Sequence, residues 1–481
     1  MDPIFLFEKR LNNKPSTICK NGDSKHICYI KNMINDAKKN FFEDFDNVFD
    51  NKEENPKCNN LDPINLFSKR LKKKIKICEN DSSNHICYQN NDSLFFGKNG
   101  VLCTMENIIL DPSKWKDSGF IYKGPGKSDK GCPLISKGFF NMKCKNNIIQ
   151  ISHGRMYNNY FDSWNYDYNE EEDIEELAFG KTIFFLSRNQ DSPNLYHGGS
   201  EFINALSLVY LLKLNPENIQ VVFLDSIVIK DDPFYDLYKN LISRGVEPIY
   251  IRNLTKKYYI SSAVHIPINW DSPCFINSNI PNCKYPTKTY NFFNYLINQY
   301  MNISNFEDSF NTTEIIYYPK SIIENHNSNI NFTKILTFQW RRVWPKGRKN
   351  QKRILGNGPQ LAEKLSKSLP KNILLRLVDT ASFPISEQIS ILRKTDYFVG
   401  IHGAGLTLSM FSPKECIFHE VLPKTNMNGL LLMAALSGHK TYSDIIRSNI
   451  KYEDENEMVY FFEDEFVNKV IEHLKYNKLI D

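Results

Sequence analysis

VGIHGAGLTLSMFSP, residues 399–413, runs from an apolar strand through a histidine and two glycines into a second apolar segment. Short glycine turns between a strand and a helix let something approach the backbone closely. In an open parallel sheet that something binds past the carboxyl ends of the strands, where helix N-termini present free N–H groups. Gly403 and Gly405 remove Cβ atoms that would block a phosphate, and His402 can donate a hydrogen bond to an anionic oxygen. Thr407 is placed to cap the following helix or to touch the ligand. A tight turn around a buried, satisfied histidine leaves the same pattern, so the surrounding sequence has to decide between them.

Outward from this turn, strand and helix patterns alternate. Upstream lie strand KILTFQW (334–340), helix PQLAEKLSKSL (359–369), strand NILLRLVD (372–379), helix ISEQISILRK (385–394) and strand DYFVGIH (396–402). A helix is expected after Gly405, then strand CIFHEVL (416–422) and helix GLLLMAALSG (429–438), with Gly438 as its C-terminal cap. An earlier run repeats the theme: strand TIFFLS (182–187), helix EFINALSLVYLLKL (201–214), strand IQVVFLD (219–225), helix PFYDLYKNLISR (233–244) and strand EPIYIR (247–252). A less regular stretch with helical YNFFNYLINQYM (290–301) separates the two runs. Alternation of this kind predicts parallel sheets covered on both faces by helices, and two runs predict two Rossmann-like, doubly wound α/β lobes facing a cleft.

The 481 residues are too many for one ordinary core, and 41% apolar residues with 13% aromatics supply two lobes plus appendages. A net charge of +5 favours no bulk electrostatic partner, and nucleic acid is not expected. Residues 1–60 read as an N-terminal repeat unit and linker, because DPIFLFEKRL (2–11) recurs as DPINLFSKRL (62–71), each copy followed by a cysteine in HICY. Residues 35–60, rich in Asn, Lys and Asp, are expected to be a solvated linker, including the acidic pair Asp44 and Asp46. Acidic NEEEDIEE (169–176) reads as a surface loop. The remaining expected units are a cysteine-containing lead-in (61–180), an N-terminal Rossmann-like lobe (181–330), a C-terminal lobe that holds the glycine turn (331–450) and a C-terminal helix (451–481).

Among eleven cysteines, Cys19 and Cys28, Cys78 and Cys87, and Cys274 and Cys283 are each nine residues apart, spacings that suit small disulfide loops. No C-x-x-C pair is present, which argues against a structural zinc or thioredoxin-like centre. Sequons at Asn80, Asn91, Asn253, Asn302, Asn311 and Asn331 agree with the lumen of the endoplasmic reticulum or Golgi. The first residues, MDPIFLFEKRL, hold no apolar stretch long enough for a signal peptide or anchor. The expectation is a lumenal protein, membrane-associated only through an anchor absent from this sequence; a cytoplasmic protein with free thiols is the alternative.

Three further elements carry chemistry. RRVWPKGRKNQKR (341–353) has seven basic residues and no acid, at the end of strand 334–340. Such a loop suits a diphosphate, since arginine offers a fixed fork for phosphate oxygens; an RNA patch competes, but only one aromatic, Trp344, interrupts the run. In YHGGSE, His197 and Glu201 stand at i and i+4, and either is a candidate general base for a hydroxyl nucleophile. Glu420 follows the glycine turn on the next strand, placed to accept from ribose hydroxyls.

Taken in order, YHGGSE, FQWRR…KRILGN, FPISEQISILRKTDYFVGIHGAGLTLSMFSP and HEVLP resemble glycosyltransferase family 61, over about residues 78–423, and CYQNN and LCTMENIILD are similar to that family's cysteine-bearing lead-in. The resemblance implies a GT-B fold, an inverting mechanism, a UDP-sugar donor carrying N-acetylglucosamine or a pentose, a hydroxyl of a protein or glycan as acceptor, and no required metal or other cofactor. It also implies site roles: His402, Gly403, Ala404 and Gly405 for the glycine turn, Glu420 for the acid after it, Arg341 or Arg342 with Arg353 for the donor loop, and His197 with Glu201 for the catalytic element. HGGSE lacks the bulky residues usual in that element. A catalytically idle GT-B scaffold that binds glycans is the competing class.

Overall fold

The computed structural model describes residues 42, 45–46, 56–72, 74–79, 84–89, 101–116, 134–144, 162–168, 174–188, 194–225, 232–266, 282–301, 314–318, 332–343, 351–423, 429–453 and 455–480. The first repeat copy, Cys19, Cys28, Cys274, residues 344–350 of the basic run and the sequons other than Asn253 lie outside them.

Two large sheets organise the chain. The first contains β1 (Lys74–Glu79), β2 (Asn84–Gln89), β3 (Val101–Leu110), β4 (Thr182–Leu186), β5 (Ile219–Phe223), β6 (Ile249–Tyr250) and β7 (Tyr258–Ile266), in the order β1-β2-β3-β7-β4-β5-β6. Its β7-β4-β5-β6 part is parallel, while β1, β2 and β3 extend it antiparallel. The second contains β8 (Ile315–Tyr318), β9 (Lys334–Gln339), β10 (Ile373–Val378), β11 (Tyr397–Ile401), β12 (Ile417–Leu422) and β13 (Lys440–Ile445), ordered β8-β10-β9-β11-β12-β13. All of its pairs are parallel except β8 with β10.

Side chains alternate across a strand, and β4 shows what each face of the first sheet meets. Phe184 and Leu186 pack with Phe202, Leu206 and Val209 of α3 (Leu195–Leu211). Ile183 and Phe185 instead pack with Phe139, Phe140 and Trp164. The expectation of helices on both faces is therefore corrected for this sheet: helices cover one face, and an aromatic layer from residues 139–166 covers the other. That segment is stapled by Cys78–Cys144, while Cys87–Cys103 ties β2 to β3 and Cys58–Cys283 ties the N-terminal segment to the chain before α4 (Lys288–Tyr300). Loops closed by Cys78 with Cys87 and by Cys274 with Cys283 are thus not formed.

In the second sheet, Leu336, Phe338, Leu375 and Val399 meet Leu361 and Leu365 of α5 (Gly358–Ser368), together with Phe466 and Val470 of the C-terminal helix Glu463–Tyr476. Leu374, Phe398 and Phe418 face the opposite layer, which holds Ile389 and Leu392 of α6 (Ile385–Arg393) and Leu432 of α7 (Gly429–Leu436). That layer is continuous with the one over β4 and β5, so one apolar cluster joins the helices of both sheets.

The stretch expected to be a linker is in part core. Phe42 and Phe45 are buried against Tyr210 and Phe292, and Asp46 accepts from the Tyr210 hydroxyl at 2.5 Å. DPINLFSKRL forms a helix, Pro63–Leu71, with Asp62 Oδ1 accepting from Thr287 Oγ1 at 2.9 Å and from Thr289 N–H at 3.1 Å. A hairpin, Ser448–Glu453 with Asn456–Phe461, precedes the C-terminal helix, here α8 (Glu463–Tyr476). Among the described residues, no helix is long and apolar enough to cross a membrane.

Candidate functional site

After β9 the chain moves to β10 on one side, then crosses to β11 on the other, so the strand order reverses between β9 and β11. Loops leave the sheet in opposite directions at such a switch point, and a crevice opens beyond the carboxyl ends. Gln339 and Arg341 stand at the end of β9, and His402 to Gly405 at the end of β11.

The two glycines are required by their neighbours. A Cβ on Gly403 would fall 2.1 Å from Arg341 Nη1, and one on Gly405 would fall 1.8 Å from Gln339 Nε2. Gln339 also donates to Thr380 Oγ1 at 3.0 Å, which fixes its amide across the turn. The helix expected after Gly405 is present as a 3₁₀ helix, Ala404–Phe411. Its apolar residues are buried nearly all round, and Leu406, Leu408, Met410 and Phe411 join the shared core.

His402 is buried, and its Nδ1 is hydrogen-bonded to Glu420 Oε1. Its backbone N–H donates to Val421 O at 2.9 Å. A carboxylate in its ionised form only accepts, and opposite that form Nδ1 is the donor of this bond. Glu420 is fully buried and engages this ring through Oε1, while its Oε2 has no hydrogen-bond partner among the described residues.

Arg341 is partly exposed, and its Nε donates to Lys352 O at 3.2 Å while Leu355 N–H donates to Arg341 O at 2.9 Å. Burial of the guanidinium and the charge of Arg353 together pull its pKa down to about 10, so it remains cationic at neutral pH. Arg353 adopts a left-handed backbone, φ 61°, and burial lowers its pKa while Glu457 and Glu420 oppose the shift. Arg342 points elsewhere: it reaches Asp379 at 3.7 Å and lies over the Trp340 ring. Of the two arginines that the sequence left open, Arg341 is therefore the one against the glycine turn.

The start of α3 reaches the same region. Asn194 caps it, its side chain accepting from Tyr196 N–H at 3.0 Å. A Cβ on Gly199 would meet Thr407 Cγ2 at 3.1 Å and Met410 Cε at 3.0 Å, so the helix backbone sits directly on the 3₁₀ segment. Thr407 is fully buried at this contact, and its structural placement is under α3. His197 is half-buried, and burial lowers its pKa to about 4. Glu201 is 2% exposed, and its charge is one of the causes, after burial, that push Tyr238 far above the usual tyrosine range.

Sequence reasoning missed a buried ion network at the ends of β4 and β5. Arg188 donates to Asp225 at 2.9 and 2.7 Å, pairs with Asp232, and stacks 3.6 Å from the Phe223 ring centroid. Its signal was visible only as two lone charges beside apolar strands, Arg188 after TIFFLS and Asp225 at the end of IQVVFLD. Gln339 was missed too, though a polar residue closing an apolar strand next to a glycine turn was its cue.

The fold defines an α/β protein with a glycine turn at a topological switch point. Residues 195–418, just under half of the chain, match the family described as Glycosyltransferase 61, and the match suggests a glycosyltransferase with donor and acceptor substrates. The matched span opens with α3 and takes in His197, Glu201, Arg341, Arg353 and the glycine turn, and it stops two residues before Glu420. No curated protein matches the chain.

Proposed function

We propose that the chain is an inverting glycosyltransferase that moves a sugar, N-acetylglucosamine or a pentose, from a UDP-sugar to a hydroxyl of a protein or glycan. The observation that carries this reading is the contact of the Arg341 guanidinium with Gly403, beside the His402–Glu420 pair. A diphosphate at the ends of β9 and β11 would meet that guanidinium, Arg353, His402 and the backbone amides of Gly403, Ala404 and Gly405. The acceptor oxygen attacks the anomeric carbon from the face opposite the nucleotide, the bond to the diphosphate breaks, and UDP leaves with the electron pair. His197 or Glu201 takes the acceptor proton, and His197 is neutral at physiological pH, the form a base needs. Cationic groups already fixed at the leaving group stabilise its growing charge without reorganisation, and no metal is required in this scheme. Three disulfides favour an oxidising lumen as the working compartment.

The test is calorimetric titration of the folded chain with UDP, followed by product mass spectrometry over a panel of UDP-sugars. Binding with transfer that persists in EDTA supports the reading. Failure to bind uridine nucleotides, or activity lost in EDTA and restored by Mn²⁺, overturns it.

A further inference from the structure

Side chains alternate along β12, so the face opposite Glu420 carries His419. His419 of β12, Asp444 of β13 and His473 of α8 bring one ligand-type atom each, and these atoms all lie within 4.8 Å of one another. Asp444 Oδ2 is 3.0 Å from His419 Nε2 and 2.6 Å from His473 Nε2. Donors bound at about 2.0–2.2 Å around one tetrahedral ion stand roughly 3.3 Å apart, so the His419–Asp444 pair at 3.0 Å is near that spacing and the His473–Asp444 pair, now at hydrogen-bond distance, opens by about 0.7 Å to admit the ion.

The state of His419 is the second observation. It is fully buried, and its Nε2, although near Asp444, makes no hydrogen bond among the described residues. Its Nδ1 is held by the Tyr397 hydroxyl at 2.9 Å. In the tautomer whose Nδ1–H donates to the Tyr397 hydroxyl, the ring turns its Nε2 lone pair toward Asp444 and His473, the arrangement found behind metal-bound imidazoles. His473 is fixed by stacking on Tyr442, ring centroids 3.9 Å apart, and Asn477 donates to the Tyr442 hydroxyl at 2.8 Å. Lys469, the cation that faces the group, is paired with Glu472 at 2.9 Å, which offsets its charge.

We propose that His419, Asp444 and His473 form a structural site for one Zn²⁺-like divalent ion. Water completes the coordination on the partly exposed side of Asp444 and His473. On binding, His473 gives up the Nε2 proton facing Asp444 and holds its one ring proton on Nδ1, so it enters the site as a neutral imidazole ligand. The ion clamps α8 to β12 and to the edge strand β13, behind the face that carries Glu420 and His402. It takes no part in sugar transfer, so it stands whether or not the proposed activity does.

The test uses the full chain, stripped of metal and titrated with Zn²⁺, with Co²⁺ as a visible probe. We expect one equivalent bound, d–d bands of a nitrogen and oxygen tetrahedral site, and a Zn²⁺-dependent rise in Tm. His473→Gln should abolish all three, with Asp444→Asn as the second variant should the first fail to fold. Tyr397→Phe should keep the site and weaken it about 10–100-fold, as loss of an outer partner does. No stoichiometric uptake by the wild type, equal uptake by His473→Gln, or thiolate-to-cobalt charge-transfer bands would each overturn the assignment.

Discussion

The guanidinium of Arg341 fills the space that a side chain on Gly403 would need, with Nη1 2.1 Å from the position of such a Cβ. The obstacle is the far end of a flexible side chain, so Gly403→Ala should displace the arginine without disturbing the fold. We expect UDP affinity to fall by about 10–100-fold, since a charge-assisted phosphate contact is worth roughly 1.5–3 kcal/mol, with little change in Tm. Gly438→Ala is the contrast. Its Cβ would meet the backbone nitrogen of Pro286 at 2.5 Å, at φ +84°, so stability should drop by about 1–3 kcal/mol or more. Calorimetry and thermal melts on both variants check the pair. Wild-type UDP affinity in Gly403→Ala would remove Arg341 from the diphosphate site.

Alanine at Arg341, Arg353 or His402 should each lower donor turnover by on the order of 10²–10³, the scale of losing one preorganised donor at a developing anion. Arg341→Lys should recover little, because a point charge cannot replace the planar fork that fits beside Gly403. Glu420→Gln, which can still accept from His402 Nδ1, should lose less than Glu420→Ala. The readout is UDP-sugar hydrolysis and transfer by the purified variants. Full activity in Arg353→Ala and His402→Ala together would refute the assignments.

The second sheet was legible because its strands are short apolar runs bounded by amphipathic helices, and each of β9 to β12 falls inside its expected stretch. The glycine turn was legible because close backbone approach leaves a mark in residue type alone. What was not legible depends on residues far apart in the chain. Trp164 and Phe140 cover Ile183 and Phe185, and no periodicity within β4 distinguishes that cover from a helix. Asp46 looked solvated in its acidic neighbourhood, yet its partners Tyr210, Lys213 and Lys288 come from two helix regions remote in sequence. The contacts of Gln339 with Thr380 and of Glu420 with His402 were hidden for the same reason, since each joins residues that different strands deliver.

Cysteine pairing shows the same limit and gives a direct measurement. Nine-residue spacing suggested local loops, but β-sheet pairing sets Cys87 opposite Cys103, and Cys78 faces Cys144 from the aromatic layer. Peptide mass spectrometry under non-reducing conditions should recover Cys58–Cys283, Cys78–Cys144 and Cys87–Cys103. Replacing Cys58 and Cys283 by serine should cost about 2–5 kcal/mol, because that staple spans a sequence separation of 225 residues. Recovery of a Cys78–Cys87 peptide would contradict the observed pairing.

Acid should weaken the protein through its buried histidines, and His197 gives the sharpest case. Burial lowers its pKa from the ordinary 6.5 to about 4. Between those values the unfolded chain binds a proton there and the native chain does not, so stability rises with pH across the window. The contribution is fully present above pH 6.5, is lost as pH falls toward about 4, and changes no further below it. His85, lowered to about 3 by burial and then by the His265 charge, adds to the same acid sensitivity, so the comparison must be between variants. Melting temperatures of wild type and His197→Gln should converge with falling pH from 6.5 to 4; curves that stay parallel would mean that this ring titrates normally in the native state. The same variant divides the catalytic roles. If His197 is the base, His197→Gln should bind UDP as the wild type does while turnover falls by about 10²–10⁴, and the wild-type rate should show no acid limb near pH 6.5 arising from this group. Retained turnover with Glu201→Gln inactive would assign the proton to the carboxylate instead.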